Sequence, residues 1–167
     1  MNLKIKIFCA LSTLLLLCPT LLSCTKATAY ADDVPCSELM DKVVEQIPVD
    51  FGYETYGGEQ IRYYFDDTER PDDHCLRYSV KSEDLNEVGI FHTPDRESQE
   101  EVVELVEDYL EELREDQRAF IESYAAEELP KLDGAQWRTF GNYTVYAILD
   151  DHDRELVFDT VEKELKQ

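Results

Sequence analysis

Positive charge is scarce in this sequence. Its 167 residues hold 16 Lys and Arg against 38 Asp and Glu, which gives a formal charge of −22 at pH 7. A surface with this excess of carboxylates repels nucleic acids and anionic lipids, so neither is expected as a direct partner. Such a surface usually serves solubility; attraction of cations or of a basic partner is the alternative interpretation.

The motifs of common catalytic sites are also missing. There is no G-x-S-x-G nucleophile elbow, no H-E-x-x-H zinc motif, and no Walker or G-x-G-x-x-G phosphate loop. His74, His92 and His152 are far apart, without a second metal ligand at helical or hairpin spacing, and surface roles are expected for His92 and His152. We therefore expect no catalytic, cofactor-binding or metal-binding residues, and a protein that is not an enzyme.

Acidic residues crowd two stretches, which allows an alternative function as a calcium-binding or divalent-cation-binding module. Calcium takes six to eight oxygen ligands, and clustered carboxylates could supply several of them. Neither stretch follows the D-x-D-x-D-G loop pattern, and neither has the glycine that provides its sharp bend. The residues are Asp66, Asp67, Glu69, Asp72 and Asp73 in the first stretch, and Asp150, Asp151, Asp153 and Glu155 in the second.

Long apolar runs are missing except at the amino terminus. Lys4 and Lys6 precede an apolar run at residues 7–22, an order typical of a signal peptide. At about 1.5 Å per helical residue, this run is shorter than a ~30 Å hydrocarbon core, which favours an export signal over a membrane span. The sequence thus predicts that the mature chain lies outside the cytoplasm.

Two processing sites follow the apolar run. Residues 21–24 (LLSC) are similar to a bacterial lipobox, in which the cysteine is lipidated and becomes the first mature residue. We therefore predict a signal peptide at residues 1–23 and a lipid anchor, such as palmitate, on Cys24 at the outer face of the cell membrane. The alternative is cleavage after Ala31, at an A-x-A sequence, which would release a secreted soluble protein.

Few cysteines remain after this processing. Cys9 and Cys18 leave with the signal peptide, and Cys24 would carry the lipid. Cys36 and Cys75 are left as an even pair in a compartment that permits disulfides. A disulfide between them is possible; it would close a loop of about 40 residues and contribute roughly 4 kcal/mol.

The remaining chain predicts one domain at residues 35–167, joined to the anchor by a tether at residues 24–34. Its clearest element is a long helix at residues 93–124, with Thr93 as the N-cap and Pro94 at the first helical position. Apolar residues recur there every three or four positions, as on one face of a helix. They are Val102, Val103, Val106, Tyr109, Leu110, Leu113, Phe120, Ile121 and Tyr124.

Alternation of apolar and polar residues indicates strands at residues 61–65, 75–80 and 87–92. A hairpin follows the long helix, with Gly141 and Asn142 as its two-residue turn. This turn places Phe140 opposite Tyr143 and Trp137 opposite Tyr146. One face of the hairpin is predicted to be buried, and it carries Trp137, Thr139, Thr144, Tyr146 and Ile148.

Amphipathic segments that begin after Pro35 and near Asp150 predict two further helices. The order of elements is then α-β-β-β-α-β-β-α, which is an α+β domain. We expect an antiparallel sheet of about five strands, with the long central helix and the N- and C-terminal helices packed on one face.

With this order of segments, the chain resembles the domain-of-unknown-function family 4358, a family of small lipoproteins of Gram-positive bacteria. The resemblance covers roughly residues 34 to 166. It implies a lipoprotein, which agrees with Cys24 as the anchor, and it implies no known activity or site residues. It is carried by residues 56–57 (YG), 87–91 (EVGIF), 115–120 (EDQRAF), Tyr124, 127–132 (EELPKL) and 141–143 (GNY).

Export, an anchor, a small core and the absence of catalytic motifs together predict a non-catalytic binding or interaction module. Its partner would be an envelope protein or ligand whose identity the sequence does not specify. The lipid anchor would provide its contact with the membrane.

Overall fold

The computed structural model describes residues 29–49, 51, 71–79, 81 and 84–167. Cys24 and the strand predicted at residues 61–65 lie outside this part of the chain. Within it, the elements in chain order are α1 (Cys36–Gln46), β1 (Asp73–Tyr78), β2 (Glu87–His92), α2 (Arg96–Tyr124), a 3-10 turn (Ala126–Glu128), α3 (Leu129–Gly134), β3 (Gln136–Phe140), β4 (Tyr143–Ile148) and α4 (Asp151–Leu165).

The four described strands form one antiparallel sheet in the order β1-β2-β4-β3. This confirms the predicted α+β class; four of the roughly five expected strands lie within the described residues, and the strand predicted at residues 61–65 stays a prediction. The β3–β4 hairpin has the predicted register, because Phe140 lies opposite Tyr143 and Trp137 opposite Tyr146. Gly141 takes the first turn position with a φ of 59°, which glycine adopts without a steric cost.

Helices cover both faces of the sheet, which corrects the prediction of a single covered face. Side chains alternate between the two faces along β4. Val145 packs with α1 and α4 in one apolar cluster, whereas Tyr146 packs with α2 in another. All six residues of β4 are buried. The prediction failed because β4 is apolar on both faces, a pattern typical of strands that are covered on both sides.

The start of α2 also differs from the prediction. Asp95 is the N-cap, and its carboxylate accepts a hydrogen bond from the Ser98 amide at 2.8 Å. Thr93, the predicted N-cap, is buried, and both its amide and its hydroxyl donate to the carbonyl of Asn142. Thr93 therefore ties the end of β2 to the hairpin turn, and α2 begins at Arg96.

The second half of α2 is less buried than its sequence suggested. Phe120 is 51% exposed and Tyr124 is 75% exposed, although both belong to the predicted apolar face. The helix is about 43 Å long, roughly twice the length of a six-residue strand. Its second half packs against α3, where Arg114 donates to the carbonyls of Leu132 and Ala135. The apolar face thus continues beyond the surface that could bury it.

Residues 29–35, which we call the N-terminal strap, lie against the domain. Tyr30 forms an antiparallel bridge with Lys166. Its ring packs edge-on against Phe140, with the two ring centroids 6.0 Å apart. The predicted tether, residues 24–34, is therefore in contact with the folded domain along the part that the structure describes.

Candidate binding cleft

A cleft of about 670 Å³ opens between α2 and the beginning of β3. Its base is apolar, because Leu110 and Ala135 belong to the apolar cluster beneath α2. Trp137 packs against this cluster and is half-buried, so its indole ring contributes both to the core and to the cleft. The cleft therefore offers an aromatic surface beside a row of charged side chains.

Exposed carboxylates of α2 form one wall of this cleft. Their spacing of one, three and four residues places them on neighbouring positions of the helix surface. Among the described lining residues, Arg114 is the one cation, and its guanidinium is held by backbone carbonyls. The lining thus has an excess of three negative charges. The four carboxylates belong to Glu107, Asp108, Glu111 and Glu115.

The other wall is the outer edge of the sheet. β3 is a terminal strand, and within the described residues it pairs with β4 alone. The two-residue turn makes Phe140 and Tyr143 a hydrogen-bonded pair, and such pairs alternate along a hairpin. The backbone groups of Trp137 and Thr139 therefore point away from β4, towards the open edge. Thr139 is exposed, although it was predicted on the buried face.

A buried carboxyl group lies between the sheet and α2. Glu87, the first residue of β2, accepts hydrogen bonds from the hydroxyls of Tyr109 and Tyr146. Burial raises the pKa of Glu87 to about 7, although the two tyrosine hydrogen bonds act in the opposite direction. Gly89 makes this arrangement possible, because a Cβ atom there would overlap the Tyr146 ring.

A second polar cluster holds the N-terminal strap. His92 contacts Asp72 through Nδ1 at 2.6 Å and Asp32 through Nε2 at 3.0 Å. Burial lowers the pKa of His92, but the hydrogen bonds and charges of Asp32 and Asp72 outweigh this effect, so its pKa lies above the ordinary value. With a carboxylate at each ring nitrogen, the doubly protonated imidazolium is favoured. His92 therefore acts as a partly buried link, whereas His152 is exposed.

The two cysteines of the domain lie in the same apolar cluster. Cys36 opens α1 and Cys75 lies in β1, and both thiols are buried and free in the structure. Burial raises the pKa of both thiols, which keeps them protonated and unreactive. The amide of Cys36 donates to the carboxylate of Asp73 at 2.7 Å, which fixes the start of α1 beside β1. The disulfide between Cys36 and Cys75 stays a prediction.

Several of the acidic residues proposed as calcium ligands form contacts with other protein groups. Asp72 contacts His92, Asp73 binds the start of α1, and Asp151 contacts Arg154 at 2.6 Å. In residues 29–49, 71–79 and 84–167, no group of three or more potential ligand side chains could hold a metal ion. No helix in the described segments combines the length and the apolar character needed to cross a membrane.

The cleft was not predicted from the sequence. The sequence pattern of α2 predicted its apolar face, and Trp137 was predicted on the buried face of the hairpin. A cleft depends on the separation between α2 and β3, which a local pattern does not encode. The sequence feature that comes closest to indicating the cleft is a tryptophan on a terminal strand combined with acids clustered on a helix.

Fold and cleft together define a small α+β domain with one antiparallel sheet, helices on both faces and an acidic groove at one edge. Comparison with protein families matches residues 53–149 to the family described as Domain of unknown function (DUF4358). The match covers more than half of the chain, and the chain belongs to this family. The cleft lies inside the matched residues, whereas α1 and α4 lie outside them. No curated protein and no solved structure gives a match.

Proposed function

We propose that this protein is an extracytoplasmic lipoprotein, anchored through Cys24, whose domain binds a partner in the cleft between α2 and β3. The role is non-catalytic binding. The observation that carries it is the cleft itself, which combines a large open volume, a half-buried indole and an excess of negative charge. These are features of a recognition surface, and the sequence contains none of the catalytic motifs considered above.

Contacts of the N-terminal strap favour the lipid anchor over the soluble alternative. The Ala31 amide donates to the carbonyl of Leu165 at 2.7 Å, and the Tyr30 hydroxyl donates to Glu162 at 3.2 Å. Cleavage after Ala31 would remove Tyr30 together with these contacts. Processing at Cys24 would retain them and leave residues 25–28 between the lipid and the strap. Those four residues span at most about 14 Å, which would hold the domain close to the membrane.

Intact-mass analysis of the native protein, extracted from membranes, tests the anchor. The expected mass is that of residues 24–167 plus the lipid, and Cys24→Ser should yield an unlipidated protein that the membrane does not retain. A soluble chain that begins at Asp32, or a cytosolic chain that still begins at Met1, would contradict the proposal.

Site-specific photo-crosslinking on cells tests the binding role. A photoreactive amino acid would replace Glu111, which lines the cleft, or Glu112, the adjacent exposed residue outside the lining. We expect one defined partner, identified by mass spectrometry, to be crosslinked from position 111 and not from position 112. Equal crosslinking from both positions, or none from either, would argue against the cleft as the binding surface.

A further inference from the structure

Within the part of the chain that the structure describes, the outer edge of β3 pairs with no strand, and its outward backbone groups lie beside the cleft. The amides and carbonyls of Trp137 and Thr139 point away from β4, because the register makes Arg138 and Phe140 the residues that pair with it. An added strand could therefore form up to about four backbone hydrogen bonds with β3. Exposed edges of this kind are normally blocked by charges, prolines or bulges.

β3 has few of the features that normally block an exposed sheet edge. The strand has no proline, and its one charged residue, Arg138, is directed towards α4, where its guanidinium lies 4.3 Å from the centre of the Phe158 ring and bonds Glu155. On the face that borders the cleft, the strand presents Trp137 and Thr139, neither of which carries a charge. A peptide backbone could therefore approach this edge without contacting a charged side chain of β3 on that face.

The charges of the cleft indicate which side chains an added strand would carry. Alternate side chains of a strand point to the same face. Those on the α2 side would meet the carboxylates of Glu107 and Glu111 and the half-buried indole of Trp137. A lysine or arginine side chain could form ion pairs with these carboxylates and a cation–π contact with the indole. Those on the other side would face Arg138, which disfavours a second basic row.

We infer that the cleft binds an extended segment of a partner protein, with a basic residue at every second position, that adds to β3 as a further strand. This inference rests on the binding role proposed above and specifies the chemistry of the partner. The segment supplies backbone hydrogen bonds to Trp137 and Thr139, and its basic side chains lie between β3 and α2. The charge of −22 on the whole chain attracts a basic segment from a distance and increases its rate of association.

Calorimetric titration of the full chain in non-ionic detergent, at low ionic strength, tests the inference. The probe is an octapeptide of alternating lysine and threonine. Its controls are the glutamate–threonine counterpart and two copies N-methylated at every lysine or at every threonine. We expect the lysine–threonine peptide to bind, the glutamate peptide not to bind, and at least one N-methylated copy to lose binding, because it cannot pair with β3.

Protein variants locate the binding surface. Glu107→Gln/Glu111→Gln removes two charges from the cleft and should weaken binding about five- to tenfold, whereas Glu104→Gln/Glu112→Gln, on the same helix outside the lining, should change it less than about twofold. Thr139→Pro removes an outward amide from the terminal strand and should abolish binding. If its melting temperature falls, Thr139→Lys provides a second test, because a lysine at this edge repels the probe.

Three results would overturn the inference: no binding of the lysine–threonine peptide, equal weakening by the two glutamine pairs, or full binding of both N-methylated copies. Equal weakening would indicate attraction to the overall charge, and retained binding of N-methylated peptides would exclude strand addition. Failure here together with crosslinking from position 111 would leave the binding role intact and reject only this partner chemistry. Failure of both would reject the binding role as well.

Discussion

Glu87 illustrates how the fold changes the chemistry of a single side chain. In the sequence it is one of 38 acidic residues, and its neighbours do not distinguish it. In the structure, Tyr109 from α2 and Tyr146 from β4 converge on its carboxyl group, and burial raises its pKa to about 7. Residues from three separate elements create this environment, so no local pattern could have predicted it.

Replacement of this carboxyl by an amide should stabilise the protein at neutral pH. Between pH 4.5, the ordinary pKa, and about 7, the folded state keeps a proton that the unfolded chain has released, so the free energy of unfolding falls as pH rises. Glu87→Gln removes this loss and retains an oxygen that can accept both tyrosine hydroxyls. We expect a gain of about 1 to 3 kcal/mol at pH 8, measured by urea unfolding.

The pH profile provides the control for this prediction. Near pH 4 the variant and the wild type should differ little, because Glu87 is then protonated. Glu104→Gln, an exposed change on α2, is the control: its effect on the free energy of unfolding should not increase between pH 4.5 and pH 7. A gain for Glu87→Gln that is the same at pH 4 and pH 8 would show that the effect does not come from the ionisation of Glu87.

A second prediction at the scale of single residues concerns Gly89. A methyl group there would overlap the Tyr146 ring and displace its hydroxyl from Glu87. Gly89→Ala should therefore lower the free energy of unfolding by about 1 to 3 kcal/mol. In a Tyr146→Ala background the same change should cost less, because the overlapping ring is absent. An equal cost in both backgrounds would place the cause in the backbone and not in the ring.

At the scale of elements, local sequence patterns predicted the helices and strands but not the contacts between distant parts of the chain. The period of α2 identified the helix, alternation identified β2, and the two-residue turn at Gly141 and Asn142 identified the hairpin with its register. These features depend on residues within a few positions of one another. The strap was not recognised as part of the domain, because its partners, Tyr143, His92 and Lys166, are far along the chain.

The strap should be held more firmly at mildly acidic pH. The raised pKa of His92 means that its contribution to stability is fully present below its ordinary value of 6.5 and is lost as pH rises through the higher folded value. Asp32, Asp33, Asp72, Asp73 and Tyr143 line the same cavity as His92, and Asp32 and Asp72 contact its ring nitrogens. His92→Gln should therefore cost more stability at pH 6 than at pH 9, by about 1 kcal/mol.

Urea unfolding of the wild type and the variant at the two pH values measures this difference. His152→Gln, at an exposed histidine in α4, is the matched control and should leave the stability nearly unchanged at both pH values. A loss for His92→Gln that is equal at pH 6 and pH 9 would mean that the protonated ring does not hold the strap.

At the scale of the whole molecule, negative charge dominates. A formal charge of −22 on 167 residues creates repulsion that counterions reduce, whatever their identity. The calcium-binding alternative requires more than this, because a specific site distinguishes calcium from magnesium by cavity size and number of ligands. Among the described acidic residues, Asp72 is engaged with His92, Asp73 with the start of α1 and Asp151 with Arg154.

Thermal unfolding in millimolar calcium or magnesium chloride separates the two interpretations. We expect both salts to raise the melting temperature of the full chain by the same amount, because both act as a diffuse cloud of divalent counterions. A larger rise with calcium, which saturates as the concentration increases, would instead indicate a specific site. Sodium chloride of matched ionic strength is the control for screening.

The sequence by itself determined the α+β class, the extent of β2, the main helices and the register of the hairpin. Periodicity and turn chemistry act over a few residues, so they can be evaluated without knowledge of the rest of the fold. The tertiary structure alone decided that both faces of the sheet are covered, that the strap packs beside α4, and that acids of α2 face Trp137 across a cleft. An apolar face must be buried, but which distant element buries it depends on packing of the whole chain.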